Sequence, residues 1–278
     1  MLNEPKAELI IEAGRAESQY WRDLWTYRDL FWFLAWRDIL VRYKQTVIGI
    51  AWAVLRPFAT MVVFTLVFNR IAKLDAPPGI PYPLLVFTAM LPWQFFSSAL
   101  SESSGSLIGN ANLISKVYFP RLIVPAGSVI TSFVDFLISL GMLAVLCVWY
   151  RYLPDWRLLT LPLFTFLALG AAFGAGIWLC ALNVKYRDFR YIVPFIVQFG
   201  LYLSPVGFSS NVVPEGLRSL YSLNPMVGVI DGFRWATLRG TLPLDPVSLG
   251  LSIATTLVLC ISGISYFRKT ERTFADVI

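Results

Sequence analysis

The chain has 278 residues, 57% of them hydrophobic and only 14% charged, with a mean hydropathy of +0.64. Soluble proteins carry roughly a quarter charged residues, so the composition excludes an ordinary soluble domain and indicates an integral membrane protein. Histidine is absent, which removes the commonest general base and metal ligand and argues against zinc enzymes and histidine-dependent transferases. The net charge of +6 is accounted for by membrane topology and anionic lipid, without a nucleic-acid partner.

The first residues are polar, with Glu4, Lys6, Glu8, Glu12, Arg15 and Glu17 and no early apolar run. A cleaved signal peptide is therefore not expected, and the first span serves as the insertion signal. Residues 22–44 hold the pairs Arg22-Asp23, Arg28-Asp29 and Arg37-Asp38 around a short apolar run containing Trp32 and Trp36. That run is too short to cross a bilayer, and the mixture of tryptophan and arginine suits the headgroup layer. An interfacial helix on the cytoplasmic face is expected. Arg28 and Arg37 point to opposite sides of a regular helix, so it is either broken in two or clasped by protein on one side.

Apolar windows near residues 48–71, 83–102, 124–150, 158–182, 191–208 and 247–267 predict spans of the length needed for a ~30 Å hydrocarbon core. The expected fold is all-α, with six transmembrane helices. The fifth window is interrupted by Pro194 and Pro205. Continuous apolar runs, rather than alternation at every second residue, argue against a β-barrel. Lys and Arg are more numerous in the segments that face inward if both termini are cytoplasmic, which sets the orientation. The resulting division is a cytoplasmic segment 1–46, a membrane domain 47–270 and a tail 271–278.

Two cytoplasmic links, residues 103–121 and 183–190, mix charge with exposed apolar side chains and read as docking surfaces for a soluble partner. A short helix is expected to end before Pro120. The external segment, residues 209–246, is long for a plain connection. It predicts one short helix near residues 214–221. A second follows Asn224-Pro225, with Asn as N-cap and Pro at the first helical position. The second helix is apolar enough to dip back into the membrane, so a re-entrant pair is expected.

Cys147, Cys180 and Cys260 fall within spans and match no metal spacing, so they read as packing residues and no metal site is expected. Gly170, Ala172, Gly174 and Gly176 provide small residues four apart on span four, suited either to packing within the chain or to dimerisation. No internal repeat is visible. Arg56 and Asp135 are charges at similar depth in spans one and three. They either neutralise each other, or Arg56 lies on a pathway where it meets an anionic group such as a phosphate.

Several motifs together resemble one family. They are Arg42-Tyr43-Lys44-Gln45-Thr46 followed by Gly49 and Trp52, then Asn112-Leu113-Ile114-Ser115-Lys116 with Phe119-Pro120-Arg121. Asn183, Arg187-Asp188, Ser204-Pro205 and Leu223-Asn224-Pro225-Met226 continue the series in order. The chain resembles the membrane subunit of type 2 ABC exporters of lipid-linked polysaccharides such as O-antigen, capsule and teichoic acid. Arg56 before Pro57 departs from that pattern, where many relatives carry a neutral residue.

The resemblance implies a homodimer bound to two copies of a separate ATPase in the bacterial inner membrane. ATP and Mg would then sit on that partner and no cofactor on this chain. The chain indeed lacks the Gly-x-x-x-x-Gly-Lys-Ser/Thr phosphate loop, so it is not expected to be an enzyme. Gly109, Asn112, Leu113, Ile114 and Lys116 would contact the ATPase, with Lys185, Arg187 and Asp188 as a second contact. Residues 212–238, including Asn224, would form an external gate. Tyr43, Trp52, Trp93, Phe95, Phe96, Tyr202 and Tyr221 are candidates for an aromatic glycan path, since sugar C–H faces stack on rings. Rival readings are an exporter of drugs or small lipids, a membrane-embedded transferase, and a passive channel.

Overall fold

The computed structural model describes residues 17–44 and 49–274. The polar start of the chain, Gln45 and Thr46 of the first motif, and the last tail residues lie outside the described residues. Among the described residues the fold is all-helical, with no strand. Helices α1 (Glu17–Thr26), α2 (Arg28–Lys44) and α3 (Gly49–Phe64) come first, and α3 runs on into a π-helical segment, Thr65–Ile71. They are followed by α4 (Tyr82–Gly109), α5 (Ala111–Lys116), α6 (Ile123–Trp149), α7 (Leu161–Lys185) and α8 (Phe189–Leu203). The chain closes with α9 (Glu215–Tyr221), α10 (Pro225–Thr237) and α11 (Pro246–Thr270).

Five segments are long and apolar enough to cross a bilayer: Ala51–Ile71, Tyr82–Gly109, Ile123–Trp149, Trp156–Lys185 and Pro246–Thr273. The fifth expected span differs. It is the 15-residue helix α8, roughly 22 Å long at ~1.5 Å per residue and so short of a ~30 Å core. The chain leaves the helix at Ser204-Pro205, because proline lacks an N–H and disfavours helical geometry in the residue before it. Two carbonyls of the non-helical segment that follows are bonded from a distant helix. Arg234 on α10, fully buried, donates to Phe208 O at 2.8 Å and Val206 O at 3.0 Å.

Helix α4 is the hub, with nearly all its apolar side chains buried against α3, α6, α7, α8 and α10. Small residues decide how closely the others approach. A Cβ on Gly174 would stand 2.6 Å from the Cys260 backbone N of α11, and one on Gly176 2.8 Å from Ser103 Oγ of α4. The small-residue series on α7 is therefore used inside the chain. The cysteines are unpaired, and Cys147 and Cys180 are buried, in line with a packing role.

The boundary between α1 and α2 falls at Tyr27, ahead of both Arg28 and Arg37, which therefore share one helix, so no break separates them. Leu34 and Ala35 of α2 are buried, and α2 lies along α6. Of the two readings, the helix clasped on one side is the one the structure shows. The two short helices foreseen in residues 209–246 are α9 and α10. Asn224 caps α10, its Oδ1 accepting from Met226 N at 3.0 Å, and Asp245 caps α11 through Val247 N and Ser248 N.

Candidate functional site

A cleft of about 380 Å³ opens between the end of α2 and helices α3, α4, α6 and α8. Its walls carry Tyr43, Trp52 and Trp93 as aromatic surface, Gln94 and Gln198 as amides, and Arg42, Arg56 and Asp135 as charges. Each wall has a local cause. Trp93 lies against Gly200 of α8, where a Cβ would come within 2.6 Å of its ring, so the missing side chain makes room for the indole. Phe95 lines the cleft floor and is held in an aromatic cluster with Phe133 and Phe136.

The charges are organised by Arg42, the residue where α2 meets the membrane helices. Its Nη1 is 2.6 Å from Glu102 Oε1 and its Nη2 3.0 Å from Asp135 Oδ2. Ser132 Oγ donates to the other Glu102 oxygen at 2.9 Å, and Tyr43 OH donates to Asp135. Burial opposes the charge on Arg42, but Glu102 and Asp135 outweigh it, so its pKa is raised. Burial, then the hydrogen bond to Asp135, raises the Tyr43 phenol. The guanidinium fork matches two carboxylates at once, which a lysine would not do.

Of the two arrangements left open for Arg56 and Asp135, the mutual pair is not formed. Asp135 is taken by Arg42 and Tyr43, because the packing of α2 along α6 delivers both side chains to it. Arg56 instead is exposed, forms no ion pair among the described residues, and faces the same cleft.

The cleft thus brings together Tyr43, Trp52, Arg56, Trp93, Phe95 and Asp135. Phe96 is not part of it: the side chain is buried beside Trp93 and packs into the core. Tyr202 is exposed on α8 outside the cleft lining. Tyr221 and Asn224 sit on the α9–α10 unit, where Asn224 also donates to Ser204 Oγ at 2.9 Å. Glu102, Gln94, Gln198 and Arg234 were not foreseen. A carboxylate within an otherwise apolar window was the available signal for Glu102, and Arg234 was counted only as a loop charge.

At the α5 end of the bundle the two link segments lie together. Ile114 of α5, Val184 of α7 and Phe267 of α11 share one buried cluster. Asn112, Lys116, Lys185, Arg187 and Asp188 are exposed there, as is Gly109, while Leu113 is half-buried and Ile114 buried. Helix α2 is tied to this end, since Arg37 Nη2 donates to Asn110 Oδ1 at 2.9 Å, and Asn110 is the residue that joins α4 to α5.

The profile of the ABC-2 type transporter family matches residues 29–238. The chain is 29% identical over 259 residues to the O-antigen export system permease protein RfbA of Myxococcus xanthus, covering 92% of this chain and 98% of that protein. It is 27% identical over 254 residues to an RfbA of Klebsiella pneumoniae, covering 90% and 95%. With the polysialic acid transport protein KpsM of Escherichia coli it shares 25% identity over 240 residues, covering 84% and 91%. With an all-helical membrane architecture and a family match over most of its length, the chain belongs to the ABC-2 type transporter permease family.

Proposed function

We propose that the chain is the permease subunit of an ATP-driven exporter that moves a lipid-linked polysaccharide across the bacterial inner membrane. The observation that carries this reading is the makeup of the cleft. Indole faces from Trp52 and Trp93 stand beside the Gln94 and Gln198 amides. Rings stack on sugar C–H faces, and amides replace the water bound to sugar hydroxyls. Arg56, without an ion pair among the described residues, supplies a cation for the phosphate that joins a glycan to its lipid carrier. The O-antigen and polysialic acid exporters among the relatives support the same substrate class.

In this reading two copies of the chain pair in the membrane and two ATP-binding subunits, which hold ATP and Mg, dock on α5 and residues 185–190. Both termini face the cytoplasm, with α1 and α2 at that interface. Helices α9 and α10 form a re-entrant external gate. The depth to which α10 is buried supports it, since backbone that turns inside a membrane must be covered by protein.

Deletion followed by complementation tests the proposal, with surface polysaccharide as the readout. Wild type should restore it, Trp52→Ala and Arg56→Ala should restore it poorly, and the purified complex should hydrolyse ATP faster when lipid-linked glycan is added. Full surface polysaccharide after deletion, with turnover stimulated by small lipids or drugs instead, would favour the rival exporter class.

A further inference from the structure

Helix α3 divides two concavities. Trp52, Arg56 and Thr60 face the cleft, whereas Val54, Phe58 and Val62 face a second groove of about 790 Å³ between α3 and α6. We propose that this groove is a binding site for an anionic phospholipid, with one acyl chain in the trough and the phosphate on Arg70.

The shape fits an amphiphile lying parallel to the helices. Val54, Phe58, Val62 and Leu66 form an i, i+4 seam on one wall, and Ile138, Met142, Val145 and Trp149 line the other. From residue 54 to residue 70 the trough runs roughly 24 Å at ~1.5 Å per residue, along the direction of lipid tails. Arg70 closes one end. It is exposed, has no ion pair among the described residues, and stands in the π-helical segment, a geometry often found at functional positions. Trp149 and Tyr150 line that same end and are the residue types that settle at headgroup level.

The head chemistry follows from what lines the groove. A guanidinium binds a phosphate diester directly. No amide or carboxylate is among the lining residues, in contrast to the cleft with its Gln94, Gln198 and Asp135. The ammonium of a zwitterionic headgroup would find no acceptor carboxylate, and its own positive charge would face Arg70. An anionic head such as phosphatidylglycerol keeps the attraction of its phosphate and brings no ammonium, and its two glycerol hydroxyls have the Tyr150 hydroxyl and the Trp149 N–H among the lining groups as partners.

The test is lipid retention by the full-length chain purified in detergent, read by native mass spectrometry after adding phosphatidylglycerol or phosphatidylethanolamine. Phosphatidylglycerol should be retained about fivefold better, the worth of one basic residue near an anionic lipid. Arg70→Gln should erase that preference and Arg70→Lys should keep most of it, while Met142→Trp should reduce retention of both lipids by filling the trough. Trp52→Ala, on the cleft side of α3, should leave retention unchanged, which separates this site from the glycan path. Equal retention of the two lipids, an Arg70→Gln variant that keeps the preference, or displacement of phosphatidylglycerol by a polyprenyl phosphate at equal concentration would each overturn the proposal.

Discussion

Replacing Arg42 by alanine should destabilise the protein more than any other single charge removal in the cleft. The substitution leaves Glu102 and Asp135, which the guanidinium holds at 2.6 and 3.0 Å, facing one another without a cation. At an effective dielectric of ~20, one pair of unit charges ~4 Å apart is worth about 4 kcal/mol. About a quarter to a third of each of these side chains remains accessible (34% for Arg42, 31% for Glu102, 24% for Asp135), so solvent screening lowers the gain per pair. Two pairs lost together then cost about 2–4 kcal/mol, against a typical total stability of ~5–15 kcal/mol. The assay is thermal unfolding of the detergent-purified chain, followed by tryptophan fluorescence. The midpoint should drop clearly for Arg42→Ala. It should recover in part in the triple variant Arg42→Ala, Glu102→Gln, Asp135→Asn, where no unpaired carboxylate is left. Arg56→Ala should leave the midpoint near wild type. A wild-type midpoint for Arg42→Ala, or a larger loss for Arg56→Ala, would refute the assignment of Asp135 to Arg42.

Other substitutions probe the packing and the breaks. Gly174→Val forces α7 away from the α11 backbone and should cost about 1–3 kcal/mol, whereas Gly105→Ala, within α4 and with nothing within 4 Å of the added carbon, should raise the unfolding midpoint slightly, through about 0.5–1 kcal/mol of helix propensity. Asn224→Ala removes the α10 cap and should cost about 1 kcal/mol, with Asn224→Asp retaining most of the midpoint. Arg234→Met leaves the carbonyls of Val206, buried, and Phe208, half-buried, without their donors. It should cost about 1–3 kcal/mol, the worth of one buried unsatisfied group, visible as faster proteolysis in residues 204–213. In cells, exchanging both exposed residues Asn112 and Lys116 of α5 for glutamate should abolish polysaccharide export while the isolated chain keeps its unfolding midpoint.

Much of the architecture was legible because its causes are local. Continuous apolar windows and the Asn224-Pro225 start of α10 each depend on neighbours within a few residues. They appear in the structure as helices and as a capped start. The length of α8 was less legible: its window is apolar enough to run on past Ser204-Pro205, but the segment after that stop is held in place by Arg234, thirty residues further on, which bonds the carbonyls of Val206 and Phe208. The site shows the same division. Six of the ten residues expected on a path or gate meet in one cleft, since aromatic and charged residues in apolar spans are conspicuous in any sequence. Phe96 is equally conspicuous and packs in the core.

By itself, then, the order of residues determined that this is a helical membrane protein, roughly where its long apolar helices lie, and which charged and aromatic residues stand out within them. Tertiary structure decided which charge meets which. Arg56 and Asp135 match in depth, and depth is all that spacing along two spans reports. The rotation of each helix and the placement of α2 along α6 put Arg42 and Tyr43 on Asp135 and leave Arg56 facing the open cleft. Those rotations are set by close-packed side chains and absent ones, such as Gly174 and Gly200, whose partners lie far away in the chain.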